Sequence, residues 1–300
     1  EGEGDVVGEG EGGGACSGES VPDCTLDAAS GDFNCTLEHD GLTRSYILHL
    51  PASYADRPAS GAELVLNFHG VRTSASLQRY FSKMNDVSDA DGFVLVYPEG
   101  TGPSTDESWN AGFCCDSASA DNVDDVGFSV AIVDRISSSL CIDKKRVYAT
   151  GLSNGGHMAY RLACEKADVF AAIASVAGVV TVTTCAPSRP VPILHFHGTS
   201  DPVVNYNLGI DGVNGAPQTV AAWAVRDGCS TDTDVVYQNG DVTCAANVGC
   251  AAGTDVELCT VDGGGHQWPG GNSIPLLGDN TTDIDASSTI AAFFAAHPMP

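Results

Sequence analysis

One serine lies in a sequence pattern that prepares a hydroxyl group for nucleophilic attack. The stretch Gly151-Leu152-Ser153-Asn154-Gly155 fits Gly-x-Ser-x-Gly, in which the serine occupies a sharp turn between a strand and a helix. The residues two before and two after the serine crowd each other in such a turn, so both must lack a Cβ atom. The pattern of 146–150 predicts a short buried strand and that of 156–165 a helix. We therefore predict that Ser153 is a catalytic nucleophile.

A serine hydroxyl is a weak nucleophile until a base takes its proton, and that base needs an acid to orient it. When the serine lies on a turn of this kind, the partners follow along the chain in the order Ser, Asp or Glu, His. Asp201 comes shortly after a predicted strand at 191–197, and His266 comes shortly after a predicted strand at 255–261. We predict Asp201 as the orienting acid and His266 as the base.

Other acids and histidines compete for these two roles. Asp201 precedes Pro202 and could be an ordinary turn residue. The alternative acids are Asp227, Asp255 and Asp262, and the competing histidines are His69, His157, His195 and His197. Two of these, His195 and His197, point to the same face of one strand and could form a metal pair, but no third ligand is obvious. We expect neither a metal ion nor a cofactor.

The tetrahedral intermediate of acyl transfer carries an oxyanion, which needs two backbone N–H donors. One donor comes from the residue after the nucleophile and the other from the loop after the third strand. These positions are Asn154 and, in His69-Gly70-Val71, Val71. Gly70 permits a close approach of the backbone, so we predict Val71 and Asn154 as the oxyanion hole.

Alternating strands and helices are predicted along most of the chain. The strands are expected at 44–50, 63–68, 93–97, 146–150, 170–176, 191–197 and 255–261, and the helices at 76–90, 122–140, 156–165, 217–227 and 284–296. The stretch 101–120 is expected to be a loop, and the region of Cys229, Cys244 and Cys250 an irregular excursion. This alternation predicts an α/β class, a doubly wound, mostly parallel sheet with helices on both faces and no large lid domain.

Composition and charge narrow the class of protein. The 300 residues carry a net charge of −26, which repels nucleic acid and anionic lipid, and no run of about 18 apolar residues predicts a membrane span. Twelve cysteines without paired zinc spacing indicate disulfides and an oxidising compartment. We predict a disordered acidic tail at 1–30, rich in Gly and Glu, and one catalytic domain at 31–300. We expect a secreted monomer, or a bacterial-type enzyme tethered to the cell surface.

Several further motifs together point to one family. They include Asn67-Phe68-His69-Gly70 and Gly264-Gly265-His266-Gln267-Trp268, with further segments at 40–46, 108–112, 123–128, 154–160 and 197–204. The chain resembles, over roughly residues 36–295, the secreted polyhydroxybutyrate depolymerases and feruloyl esterases of the α/β-hydrolase superfamily. The resemblance implies the α/β-hydrolase fold, a triad of Ser153, Asp201 and His266, ester hydrolysis, and a disulfide between Cys164 and Cys185.

The resemblance leaves the substrate open, because members of the family act on aryl esters of plant cell walls, on aliphatic polyesters or on small esters. We expect Trp109, Trp268 and His69 at the substrate site, where an aromatic face suits a feruloyl or terephthaloyl ring. A tryptophan packed beneath its loop is the alternative for Trp268. The sequence predicts a serine carboxylesterase for feruloyl or other aryl esters or polyesters. A depolymerase acting on insoluble polyhydroxybutyrate or poly(ethylene terephthalate) is the alternative, and a non-catalytic binding protein of the same fold is a remote one.

Overall fold

A single eleven-stranded sheet runs through the computed structural model, which describes residues 21, 23–103 and 106–300. The strands are β1 (Cys24–Leu26), β2 (Phe33–His39), β3 (Leu42–His49), β4 (Ala62–Phe68), β5 (Val94–Pro98), β6 (Ile142–Leu152), β7 (Ala172–Val176), β8 (Ile193–Gly198), β9 (Thr233–Asn239), β10 (Val242–Asn247) and β11 (Val256–Val261). The helices are α1 (Ala75–Ser82), α2 (Met84–Asp91), α3 (Asp116–Ala120), α4 (Asp125–Ser139), α5 (Asn154–Glu165), α6 (Ala216–Arg226) and α7 (Ala286–Ala296), with short 3-10 helices at Ala52–Asp56 and Ala251–Gly253.

The centre of the sheet is parallel and its two flanks are antiparallel. The strand order is β1-β2-β3-β5-β4-β6-β7-β8-β11-β10-β9, and the six strands from β5 to β11 in that order pair in parallel. Near-continuous apolar runs are typical of strands that are covered on both faces. In β4, Leu64 and Leu66 pack into one core while Val65 packs into the other. The predicted mostly parallel sheet with two covered faces is confirmed.

Helices supply the cover on both faces. On one face, α4, α5 and α6 contribute buried side chains such as Ile132, Tyr160 and Trp223. On the other face, α2 and α7 contribute Met84 and Phe294. The sheet is therefore packed between two apolar layers, and these layers fix the positions from which the loops leave its strands.

Two predictions differ from the structure by more than a shift of an element's ends. The predicted helix 76–90 is two helices, because Lys83 adopts a left-handed conformation at φ 53° and turns the chain between α1 and α2. The stretch 101–120, expected to be a loop, contains the short helix α3. An apolar stripe continues across Lys83, so periodicity does not detect that break, and the five-residue helix α3 is too short and too polar to show a helical period.

Two antiparallel flanks correct the sequence prediction more substantially. The excursion around Cys244, expected to be irregular, is the hairpin β9–β10, in which every residue of β9 is exposed. Residues 24–26, which the sequence assigns to the tail, form β1 and pair with β2, so that Cys24 lies opposite Cys35. Strand β9 has no buried face, so it shows no alternation of polar and apolar residues, and periodicity does not detect it. The remaining tail, residues 1–20 and residue 22, lies outside the described residues.

Five disulfides join described residues. They are Cys24–Cys35, Cys114–Cys115, Cys164–Cys185, Cys229–Cys250 and Cys244–Cys259. The pair Cys164–Cys185, which the family resemblance implies, is present. Such a set of disulfides fits an extracellular enzyme. Among the described residues, no helix has both the length and the apolar character needed to cross a bilayer.

Candidate active site

The three candidate catalytic residues leave the sheet at one edge. Ser153 directly follows β6, Asp201 follows β8, and His266 follows β11. These strands are parallel and in register, with only β7 between β6 and β8. The carboxyl ends of parallel strands meet at one edge of a sheet, which is where ligands bind in open α/β sheets. The arrangement gathers the loops of all three residues there.

Ser153 lies on a strained turn. Its backbone has φ 58° and ψ −119°, a conformation that L residues rarely adopt. Cβ atoms are excluded on both sides of it: one on Gly151 would lie 2.6 Å from the carbonyl carbon of Gly155, and one on Gly155 would collide with the carbonyl oxygen of Phe68. The amide of Ser153 donates to the carbonyl oxygen of Val176 at 2.8 Å, which fixes the turn to β7. The predicted crowding between the two glycines is present.

Asp201 and His266 form a buried hydrogen-bonded pair. Nδ1 of His266 lies 2.7 Å from Oδ2 of Asp201, and both side chains are buried. The amides of Val203 and Val204 donate to Oδ1 of Asp201 at 2.8 and 2.9 Å, which fixes the plane of the carboxylate. Burial by itself would raise the pKa of Asp201, but hydrogen bonds from His197 and His266 hold that pKa well below the usual range. Asp201 is therefore an ionised acceptor.

The geometry leaves Nε2 as the free nitrogen of His266. A carboxylate accepts at Nδ1, so the Nδ1–H tautomer is the one that fits, and Nε2 can take a proton from a nucleophile. No hydrogen bond joins Nε2 of His266 to Oγ of Ser153 in this structure. Catalytic hydrogen bonds are often long without substrate and shorten in the substrate complex.

The loop that carries His266 is pinned by its neighbour Gln267, which the sequence reasoning missed. The side-chain amide of Gln267 donates to the carbonyl oxygens of Ile274 and Gly278, both at 2.9 Å, and its oxygen accepts from the amide of Ile274 at 2.7 Å. The amide of His266 itself donates to the carbonyl oxygen of Leu277 at 2.7 Å. A glycine-flanked loop gains its fixed shape from these contacts. The adjacency of Gln267 to the base was the only signal in the sequence.

Gly70, which precedes the predicted oxyanion donor Val71, and the second predicted donor, Asn154, lie next to the serine. A Cβ on Gly70 would be 3.4 Å from Cβ of Ser153 and 3.5 Å from the carbonyl oxygen of Leu152, so the backbone at Gly70 lies against the elbow. The hydroxyl Oγ1 of Thr73 donates a hydrogen bond to the carbonyl oxygen of Gly70 at 2.7 Å. Asn154 is the first residue of α5, where the amide has no helical acceptor and the helix dipole favours negative charge. These features suit a pair of N–H donors at Val71 and Asn154.

Trp109, His69 and the side chain of Asn154 form one buried network. The indole Nε1 of Trp109 donates to the carbonyl oxygen of His69 at 2.9 Å. The backbone amide of Trp109 donates to Oδ1 of Asn154 at 2.7 Å. Nδ1 of His69 donates to the carbonyl oxygen of Gly70 at 2.7 Å, while Nε2 accepts from the amide of Gly100 at 2.9 Å. Trp109 and His69 are fully buried. The network braces the oxyanion segment from below.

Trp268 is also fully buried. Its indole Nε1 donates to Oγ of Ser287 in α7 at 3.0 Å, and Ser287 in turn donates to the carbonyl oxygen of Ser82 at 2.7 Å. These contacts tie the loop of His266 to both α7 and the end of α1. They favour the second interpretation of Trp268, a residue that packs beneath its loop.

The alternative acids lie elsewhere or have other partners. Asp227 accepts from the amide of Val191 at the amino end of β8, and burial raises the pKa of Asp227 to about 7. Asp255 pairs with His297 at 2.8 Å. Asp262 is exposed and accepts from Thr199 at 3.1 Å. None of the three contacts His266.

The competing histidines are buried and engaged. Nδ1 of His157 lies 2.7 Å from the amide nitrogen of Val179, and burial lowers the pKa of His157 to about 4. His195 and His197 contact each other at 3.0 Å. In the part of the chain that the structure describes, Cys114, Cys115 and His157 form the one group of three potential metal ligands. The two cysteines are joined in a disulfide, so this donor set does not fit a metal ion.

Comparisons with known proteins identify a family of esterases. The profile described as esterase PHB depolymerase matches residues 44–245. Feruloyl esterase B of Piromyces equi is 34% identical over 74% of this chain, which spans only 42% of that relative's length. The putative esterase NocK of Nocardia uniformis subsp. tsuyamanensis is 33% identical over 77% of this chain and 72% of its own length.

Solved structures of low sequence identity share the fold. An acetyl xylan esterase from Aspergillus awamori, 15% identical, matches with a TM-score of 0.58 over 84% of this chain and 94% of its own. Thermogutta terrifontis esterase 2, solved phosphoramylated by tabun, is 14% identical and matches with a TM-score of 0.54 over 93% of this chain and 96% of its own. The predicted α/β-hydrolase fold is confirmed.

Proposed function

The chain belongs to the esterase PHB depolymerase family, and from this we propose that it is a secreted serine carboxylic-ester hydrolase that works through an acyl-enzyme. The observation that carries the proposal is the buried hydrogen bond of 2.7 Å between Asp201 and His266, at the same sheet edge as the strained turn of Ser153. A nucleophile on an elbow, a base and an orienting carboxylate are the parts that acyl transfer needs.

The first half of the reaction forms the acyl-enzyme. Nε2 of His266 takes the proton of Ser153 while Oγ of Ser153 bonds to the carbonyl carbon of the ester. The carbonyl oxygen becomes an oxyanion and accepts hydrogen bonds from the amides of Val71 and Asn154. The intermediate then collapses, the bond to the alcohol oxygen breaks, and His266 gives its proton to that oxygen.

Water completes the cycle. His266 takes a proton from a water molecule as its oxygen bonds to the acyl carbon, and the second tetrahedral intermediate collapses with return of the proton to Oγ of Ser153. Asp201 keeps the imidazole in the Nδ1–H tautomer and stabilises the imidazolium in both halves. Trp109, His69 and Trp268 act, in this proposal, by bracing the loops that present these groups.

The proposed substrates are feruloyl or other aryl esters. Two relatives named feruloyl esterase, from Piromyces equi and Aspergillus terreus, support this choice. A polyester depolymerase is the second candidate, supported by the family's own description and by the exposed apolar side chains of Val203, Leu208 and Leu276 on the loops next to Asp201 and His266. Exposed apolar residues around a site suit adsorption to an insoluble polymer.

The proposal also covers the location, the oligomeric state and the partners of the enzyme. The disulfides support an extracellular location. We propose a monomer without nucleic-acid partners, because the net charge of −26 opposes both polyanions and self-association. The tether to a cell surface, through the acidic residues before Cys16, stays a prediction.

Covalent labelling tests the reaction type. A fluorophosphonate probe should modify one serine, and mass spectrometry of the peptides should locate it at Ser153. Ser153→Ala should abolish labelling and lower kcat/KM for p-nitrophenyl butyrate by about 10⁴-fold or more. Ser138→Ala, at an exposed position in α4, serves as the matched control and should label normally. Labelling elsewhere, or an active Ser153→Ala, would contradict the proposal.

A substrate panel separates the two candidates. Methyl ferulate, p-nitrophenyl butyrate, polyhydroxybutyrate film and poly(ethylene terephthalate) film are compared with wild type and Ser153→Ala. The proposal expects the highest kcat/KM for methyl ferulate. Rapid release of soluble product from film with poor turnover of methyl ferulate would favour the depolymerase.

A further inference from the structure

A row of buried polar side chains runs from α5 through β8 to the candidate acid. The hydroxyl of Tyr160 lies 2.8 Å from Nδ1 of His195, and Nε2 of His195 lies 3.0 Å from Nδ1 of His197. Nε2 of His197 lies 2.8 Å from the carbonyl oxygen of Val204 and 3.3 Å from Oδ2 of Asp201. All of these side chains are buried. Burial of so many polar groups is costly unless each one has a hydrogen-bond partner. This requirement determines which atom donates in each hydrogen bond of the row.

The end of the row at Asp201 fixes the proton of His197. A carbonyl oxygen only accepts, and an ionised carboxylate only accepts. Nε2 of His197 faces one of each, so it carries the proton and donates to both. Nδ1 of His197 is then the acceptor and faces Nε2 of His195.

The same reasoning fixes the rest of the row. Nε2 of His195 donates to His197, which leaves Nδ1 of His195 as the acceptor of the hydroxyl proton of Tyr160. Burial and the neighbouring His197 lower the pKa of His195 well below its ordinary value, in keeping with one proton on its ring. With every donor reversed, the hydroxyl proton of Tyr160 would have no acceptor among the described residues. Only the direction from Tyr160 towards Asp201 satisfies every group.

We propose that Tyr160, His195 and His197 are positioning residues that present a second imidazole N–H to Asp201, at the same oxygen that His266 contacts. This inference rests on the proposed function, in which Asp201 orients the base. Val203 and Val204 fill Oδ1, while His266 and His197 share Oδ2. The carboxylate is held by four donors and cannot rotate away from His266 during the two proton transfers.

The surroundings of the row contain few other charges. His157 on α5 faces His195 and His197, the ring of Tyr206 packs edge-on against His197 with centroids 5.8 Å apart, and Arg226 on α6 is near Tyr160. The hydroxyl of Tyr206 is engaged by Thr260 at 2.7 Å. None of these groups makes a hydrogen bond to the row, so it ends at Tyr160 on one side and at Asp201 on the other.

Nuclear magnetic resonance tests the direction of the row without any substrate. The whole enzyme is labelled with ¹⁵N-histidine, and long-range ¹⁵N–¹H correlations assign the tautomer of each ring. The proposal expects the Nε2–H tautomer for both His195 and His197 and the Nδ1–H tautomer for His266. A Nδ1–H tautomer at His195 or His197 would overturn it, whatever the activity of the enzyme. Failure of the proposed function would instead show as failure to label Ser153.

Two substitutions at His197 test the positioning role. His197→Leu removes the N–H, and kcat for the best ester should fall about tenfold with KM nearly unchanged, because a hydrogen bond to a charged group is lost away from the substrate. His197→Gln places an amide N–H near the position of Nε2 and should restore kcat to within about threefold of wild type. Equal losses in both variants would assign His197 to packing alone and overturn the proposal.

A second pair of variants keeps the test valid if His197→Leu does not fold. Tyr160→Phe removes only the first donor of the row and should lower kcat about threefold and change the ¹⁵N spectrum of His195. Tyr46→Phe is the matched control, a buried tyrosine whose hydroxyl has no hydrogen-bond partner among the described residues. It should change neither quantity. A Tyr160→Phe enzyme with the kcat and the histidine spectra of wild type would contradict the inference.

Discussion

The centre of the sheet and its β9–β10 flank are held together by different means. In the centre, strands β4, β5, β7 and β8 and the carboxyl half of β6 are buried on both faces, and polar groups near the carboxyl ends of the central strands are paired with one another. On the flank, β9 is exposed at every position and two disulfides hold the hairpin. Cys244–Cys259 joins β10 to β11, and Cys229–Cys250 joins the segments that enter and leave the hairpin. No disulfide among the described residues joins two of the central strands. Geometry at the site therefore depends on packing and hydrogen bonds, and stability at the flank depends on covalent links.

The difference has a physical reason. A buried parallel strand gains from two apolar layers and needs no cross-link. An exposed hairpin buries little surface, and a disulfide compensates by restricting the unfolded chain. Substitutions of the polar groups at the carboxyl ends of the central strands should therefore change turnover. Loss of a disulfide at the flank should instead lower the free energy of unfolding with little change in turnover.

The largest effect should come from Asp201. In Asp201→Asn the carboxylate that orients His266 becomes an amide, the Nδ1–H tautomer loses its acceptor, and kcat should fall by about 10⁴-fold. Steady-state kinetics with an activated ester measure this, and urea titration measures stability. Asp262→Asn, at the exposed aspartate next to the same edge, should keep the kcat of wild type. A small loss in Asp201→Asn would break the comparison, since the centre would then not control turnover.

The flank should respond in stability alone. Cys244 and Cys259 lie opposite each other on β10 and β11 and are 15 residues apart in sequence. Replacing both with alanine should lower the free energy of unfolding by about 3 kcal/mol, the value for a loop of this length. Urea titration of the oxidised protein measures the change, and kcat at 25 °C should stay within about twofold of wild type, because the hairpin supplies no group to the site. A matching loss of kcat would show that the two regions are coupled.

Asp227 should make stability depend on pH at the junction between the two regions. Burial raises the pKa of Asp227 to about 7 in the folded protein, against about 3.9 in an unfolded chain. Its contribution to stability is therefore complete below the lower value and is lost as the pH rises through 7. The free energy of unfolding should fall by about 2 kcal/mol more in wild type than in Asp227→Asn between pH 5 and pH 8.

The control for this effect is an exposed carboxylate of the same flank. Asp232→Asn should show the pH dependence of wild type, because the side chain of Asp232 is exposed and folding does not bury its carboxylate. Equal pH dependence in wild type and Asp227→Asn would indicate that Asp227 keeps a low pKa through its neighbours Arg189 and Arg226.

The same division explains how far the sequence could be interpreted. Ser153, Asp201 and His266 stand at the ends of central strands whose apolar runs are plain in the sequence, so their order alone indicated a shared edge. Strand β9 of the hairpin was missed because it is exposed at every position and carries no apolar periodicity. The pairing of Cys244 with Cys259 depends on strand register, which twelve cysteines do not determine.

Polar contacts between residues far apart in the chain also could not be predicted from the sequence. His195 and His197 were recognised as a pair on one strand face, but their link to Tyr160 on α5 and to Asp201 needs the packing of the helix on the sheet. Trp268 was expected at the substrate site because it follows the base by two residues. Sequence spacing could not show that its ring turns inward against α7.

Trp268 gives the smallest and most local comparison, since it belongs to the site loop but contacts α7. Trp268→Phe removes the indole N–H that bonds Ser287, and the free energy of unfolding should fall by about 1 kcal/mol while KM for methyl ferulate stays the same. Trp223→Phe is the matched control, since this buried indole donates to the carbonyl of Val191 at 2.9 Å, away from the site. Similar stability losses with unchanged KM in both variants would assign Trp268 to the packed centre. A several-fold rise of KM in Trp268→Phe alone would show instead that this ring meets the substrate, and the boundary of the site would then include the layer beneath its loop.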